Sequence, residues 1–173
     1  MSGTRTDSTQ LPCGRLDPSR AFATTTGAIW TRWRVIDRER VLAKLDDLHG
    51  YLRELQSVIP SSFTEYLSVE KKRSCERLLQ VSIEAVIDAC ALIVTGLRLG
   101  LPGDEDDLFE KLAEHGVISR PVALVLRRMK GMRNLLVHEY GRVDDAVVFE
   151  AVSRRLGDFD TFRREILTFL RRG

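Results

Sequence analysis

The stretch Leu78-Leu79-Gln80-Val81-Ser82-Ile83-Glu84-Ala85-Val86-Ile87-Asp88-Ala89-Cys90 decides the fold class. Its apolar residues return every three or four positions, which is the period of a helix face and not the alternation of a strand. Followed outward, the pattern predicts a helix from about Val69 to Leu99, ended by Gly100, Pro102 and Gly103. Leu79, Ile83, Val86, Cys90, Ile93 and Leu97 make one seam. Leu78, Ser82, Ala85, Ala89, Leu92 and Gly96 make a second, whose small residues let another backbone come close. Two seams predict a central helix with neighbours on both sides, a second protomer among the candidates. Gln80, Glu84 and Asp88 recur every four residues, as a solvated face or as a polar lining.

Upstream, Val41, Leu45, Leu48, Leu52, Leu55 and Ile59 predict a helix over about Asp37–Ile59, stopped by Pro60. Phe63 to Leu67 reads as a helical turn that lays Phe63 and Tyr66 on the core. Downstream, a short helix from Asp104 or Asp106 to His115 carries acids at its start, as the helix dipole favours, and ends on His115-Gly116. Ser119 caps the next helix, with Pro121 in its first turn. That helix turns Val122, Val125, Met129, Met132 and Leu136 inward and Arg127, Arg128 and Lys130 outward. A last helix begins near Asp144-Asp145 with the seam Phe149, Val152, Leu156, Phe159, Ile166 and Leu170, weakened in the middle by Gly157. With no useful period-2 run anywhere, the expectation is an all-α bundle of four to five helices joined by short loops.

Residues 1–35, rich in Ser, Thr, Gly and Arg and without a period, are expected to be a disordered or weakly ordered N-terminal extension to a helical domain over 36–173. The extension lacks the apolar segment of a signal peptide. An alternative reading starts the native chain at Val35; the intact mass from the native host decides between the two. Of 27 basic and 25 acidic residues, five arginines and two aspartates lie in 1–35, so the helical part is nearly neutral. Bulk charge therefore makes no case for nucleic-acid binding, although clustered arginines can still form a patch. The longest apolar run, Ala89 to Leu97, is far short of the roughly 18 residues of a membrane span. Cys75 and Cys90 lie roughly 22 Å apart along one helix and cannot pair within the chain; Cys13 is in the tail. The absence of a CxxC or Cys/His cluster argues against zinc, and a reducing cytoplasm is the simple expectation.

The chemistry gathers in Arg133-Asn134-Leu135-Leu136-Val137-His138-Glu139-Tyr140, just before Gly141. Of the histidines His49, His115 and His138, only the last has an arginine and a tyrosine this close. In an unbroken helix Arg133 and Tyr140 share a face, but Arg133 and His138 diverge by about 140°. They serve one site only if the helix loosens near Gly141, if the arginine reaches round, or if a second copy completes the site. The plainer alternative has Arg133 and His138 capping the helix C-terminus and Tyr140 packing.

The Arg133–Tyr140 segment resembles the R-x4-H-x-Y motif of HepT-like proteins in the HEPN superfamily. Glu76 to Asp88 resembles that family's long second helix, and the order of helices over about 36–170 agrees. The resemblance implies an all-α homodimer whose two motif segments meet across a two-fold cleft. It implies a toxin of a type II toxin–antitoxin pair with metal-independent ribonuclease activity and no cofactor. It implies as partner a minimal nucleotidyltransferase antitoxin that adenylylates the motif tyrosine. On that pattern Arg133 and His138 are catalytic, Asn134 is supporting, and Tyr140 is the modification target. The chemistry is sensible: imidazole titrates near neutral pH and can move the proton of an RNA 2′-hydroxyl, and a guanidinium can hold the phosphate. Glu84 and Asp88 are candidates to orient Arg133 or His138. The competing expectation is a non-catalytic dimer that scaffolds the nucleotidyltransferase or holds a nucleotide.

Overall fold

The computed structural model describes residues 36–138 and 144–172. Their helices are α1 (Arg38–Val58), α2 (Phe63–Tyr66), α3 (Val69–Gly96), α4 (Glu105–Glu114), α5 (Arg120–His138), α6 (Asp145–Arg154) and α7 (Gly157–Arg172), with no strand among the described residues. The predicted N-terminal extension, residues 1–35, lies outside the described residues.

The long α3 is the axis. Ser68 caps it by accepting the Lys71 N–H. Leu79, Ile83, Val86, Cys90, Ile93 and Leu97 of the first seam are all buried, and so is Cys75 a turn before them. Ser82, Ala85, Ala89 and Gly96 of the second seam are buried as well, inside the single chain. The close neighbour that these small residues admit is therefore intramolecular at its best-defined point. A Cβ on Gly96 would sit 2.8 Å from the Ile36 Cα, at the lead-in to α1. Lys44 of α1 then pairs with Asp88 of α3 at 2.9 Å. The second seam consequently gives no support to a second protomer on that face. By length and composition α3 would also suit a membrane span, but half of its most apolar window is buried against the other helices.

Helix α3 ends three residues earlier than its apolar pattern. Arg98 takes a left-handed φ of 53°, and the Leu99 N–H closes back on the Val94 carbonyl at 3.1 Å. A left-handed residue followed by this return bond terminates a helix whatever the side-chain pattern beyond it. The seam of α1 is buried as expected from Val41 to Leu55, and Asp37 caps that helix on the Arg40 N–H. Tyr66 is fully buried, whereas Phe63 stays 39% exposed with its ring edge against Phe149.

The single last helix expected from Asp144 is two helices, with the chain turning at Arg155-Leu156. Asp144 caps α6 on the Ala146 N–H. Arg155, just past α6, folds back onto Glu150 at 2.7 Å, and Gly157 opens α7. The change of direction brings Phe162 and Phe169 into the core beside Phe159, Ile166 and Leu170; a single continuous seam did not include them. Ser119 ties α5 to α7, its N–H and hydroxyl both donating to Glu165. It also receives the Val122 N–H at 3.5 Å, the cap that its position suggested.

Candidate active site

Helix α5 carries the site, and its faces are sorted differently from the sequence pattern. Val122, Ala123, Leu126 and Leu136 are its buried residues. Met129 and Met132, expected inward, are partly buried against the core, and with Val125, Arg128, Leu79 and Ile83 they also line a half-open pocket of about 270 Å3. Arg127 and Lys130, expected to point outward, face α4.

There, four cation–carboxylate pairs join α4 to α5, one of them Arg120 with Glu110 at 3.2 Å at the start of α5. Arg127 pairs with Glu110 at 2.8 Å, Lys130 with Asp106 at 2.6 Å, and Arg133 with Glu105. The acids at the start of α4 thus serve more than the helix dipole. They take up the three-residue repeat of cations that runs down α5. The side chain of Arg133 is only 16% exposed. Its Nη2 donates to Glu105 Oε1, and its Nε is buried with no partner among the described residues.

The helix remains regular through His138. Arg133 and His138 therefore stand about 140° apart around the axis. His138 is exposed, well round the helix from the Arg133–Glu105 pair. The helix does not loosen before His138, and Arg133 is held on the α4 side. Asn134 is half-buried between them and makes no hydrogen bond among the described residues.

The remaining site residues are spread out. Glu84 accepts from Gln80 Nε2 at 2.9 Å, and Asp88 pairs with Lys44. Among the described residues neither contacts Arg133 or His138; the acid that does touch Arg133 is Glu105. Tyr140, with Glu139 and Gly141, lies outside the described residues.

One feature of α5 escaped the sequence reading. Leu124, Arg128, Gly131, Leu135 and His138, spaced 4-3-4-3, are all exposed. Leu124 is 56% and Leu135 39% exposed, and nothing lies within 4 Å of where a Cβ on Gly131 would stand. The stripe has the spacing of a helix face, with the histidine at its end. The two leucines eleven apart, with a glycine between, were the available signal.

A match to the family described as Ribonuclease HepT-like covers residues 48–166. The chain belongs to that family. Among HepT-like relatives, the tRNA nuclease HepT of Aphanizomenon flos-aquae is 31% identical over 128 residues, 73% of this chain and 87% of the relative. The mRNA nuclease HepT of Shewanella oneidensis is 36% identical over 84 residues, 49% of this chain and 63% of the relative. The HepT-like fold is also that of a solved structure, the tri-AMPylated Shewanella oneidensis HEPN toxin in complex with MNT antitoxin. That toxin superposes with a TM-score of 0.70 at 27% identity, over 74% of this chain and 96% of its own.

Proposed function

We propose that this HepT-like chain is the endoribonuclease toxin of a toxin–antitoxin pair, acting as a cytoplasmic homodimer whose sites each draw on two chains. The observation that carries the reading is the divergence of Arg133 and His138 on a regular α5, combined with the exposed stripe that ends on His138. A two-fold contact along Leu124, Gly131 and Leu135 sets two α5 helices side by side. Each His138 then stands at the shared face, while Arg133, about 160° round the helix from Gly131 and Leu135, stays on the α4 side of its own chain.

In such a site the reaction needs only the substrate and these side chains. His138 takes the proton of an RNA 2′-hydroxyl, whose oxygen attacks the adjacent phosphorus. The bond to the 5′-oxygen breaks, and that oxygen takes a proton from water or from the protonated His138, leaving a 2′,3′-cyclic phosphate on one fragment and a 5′-hydroxyl on the other. Arg133 stabilises the charge that accumulates on the phosphoryl oxygens, and Asn134 supplies a neighbouring amide. Names of the HepT relatives as tRNA and mRNA nucleases support this activity. The AMPylated toxin seen with MNT antitoxin supports a nucleotidyltransferase partner, and the resemblance to the R-x4-H-x-Y motif points to Tyr140 as the residue it modifies.

The test is cleavage of total RNA by the purified chain in excess EDTA, with end-group analysis of the fragments. Cyclic phosphate ends should form, and His138→Ala should lower the rate by about 10²–10⁴. Cleavage that disappears with EDTA, or that persists in both His138→Ala and Arg133→Ala, contradicts the proposal.

A further inference from the structure

We propose that Glu105 is the positioning residue of Arg133: from a different helix, its carboxylate holds the guanidinium in the orientation in which it meets a substrate phosphate. The inference rests on the ribonuclease reading of Arg133 given above. Three observations carry it.

An arginine side chain is long and rotates freely unless it is held, and a guanidinium has five donors in a fixed plane. Glu105 takes one of these through Nη2 and so limits the rotation of that plane. Arg133 is 16% exposed and Glu105 33%, so the pair sits at the rim of the fold, where solvent reaches the carboxylate and softens its repulsion of a phosphate.

Second, Glu105 is not needed to start α4. Asp104 caps that helix on the Asp107 N–H at 2.9 Å, and Asp107 accepts the Gly103 N–H at 2.9 Å. Third, Glu105 is not needed to dock α4 on α5. The Lys130–Asp106 and Arg127–Glu110 pairs, with Leu108, Phe109 and Leu112 buried beneath α4, do that without it. What remains specific to Glu105 is its hold on Arg133.

The test uses the full chain, freed of its antitoxin, on a defined RNA. Glu105→Ala should lower kcat by about tenfold to a hundredfold with little change in KM, the pattern of a misplaced transition-state contact. Glu105→Gln, which keeps an acceptor oxygen, should recover most of that loss. Asp106→Asn, which removes the adjacent pair, should leave kcat within about twofold of the wild type, because that pair only docks the helices. Added to Arg133→Ala, the loss of Glu105 should cost nothing further, since the two act as one unit. Thermal melting of each variant shows that the fold persists. If Arg133→Ala abolishes cleavage while Glu105→Ala stays within about twofold of wild type, the positioning role is overturned and the ribonuclease reading stands. Equal losses in Glu105→Ala and Asp106→Asn would also overturn it, since helix docking would then explain both. A wild-type chain that does not cleave RNA overturns both readings.

Discussion

The guanidinium of Arg133 is withdrawn from bulk solvent and tied to α4, while the imidazole of His138 stands free one and a half turns further on. These two side chains were legible in the sequence because their types and spacing are local. Glu105 was not, since its partner is 28 residues away and depends on how α4 docks. The same limit applies to Glu84 and Asp88, whose four-residue repeat did not say which neighbour they would meet. Among the described residues Cys75 and Cys90 are buried free cysteines on α3. Burial pushes the thiols of Cys75 and Cys90 up from their ordinary value. A raised thiol pKa means less thiolate at a given pH, and the thiolate is the nucleophile. At pH 8 both should therefore resist iodoacetamide in the native protein and react on unfolding, as followed by peptide mass spectrometry. Rapid native alkylation of Cys90 would contradict the buried placement.

Among the elements, α1 and α3 were predicted to within a few residues because each seam is long and periodic. The break between α6 and α7 was not, because Gly157 weakens a helix without saying whether the chain turns there. Small residues on α3 were read as room for another backbone, and at Gly96 that backbone is Ile36. Gly96→Ala places a methyl 2.8 Å from the Ile36 Cα and should destabilise the chain by about 1–3 kcal/mol. Gly50→Ala, in α1 with nothing within 4 Å of its Cβ position, should instead stabilise by about 0.5–1 kcal/mol. Urea unfolding of both variants checks the pair. A Gly96→Ala variant as stable as Gly50→Ala would mean that α1 and α3 are not in this contact.

At the scale of the whole molecule, one helix organises both stability and chemistry. Helix α5 buries Leu126 and Leu136, pairs with α4 through its cations, and leaves one stripe open. Tyr140 follows that stripe by two residues in sequence. If Tyr140 is the off-switch, its phenol oxygen takes AMP from ATP and releases pyrophosphate. The transfer adds a phosphodiester anion and an adenine, which can compete with an RNA phosphate for a guanidinium. Co-expression with the cognate nucleotidyltransferase should add AMP to Tyr140 and abolish cleavage, and Tyr140→Phe should escape that modification. An unmodified Tyr140 in a neutralised sample, seen by peptide mass spectrometry, would rule the switch out.

The claim that joins these scales is that each site takes Arg133 from one chain and His138 from the other. Two differently tagged chains, one Arg133→Ala and one His138→Ala, can be co-expressed and the mixed dimer isolated through both tags. Each mutant homodimer has no complete site, whereas the mixed dimer rebuilds one of its two. The mixed dimer should cleave RNA at about half the wild-type rate per dimer, with both homodimers inactive. A mixed dimer as inactive as its parents would contradict the account.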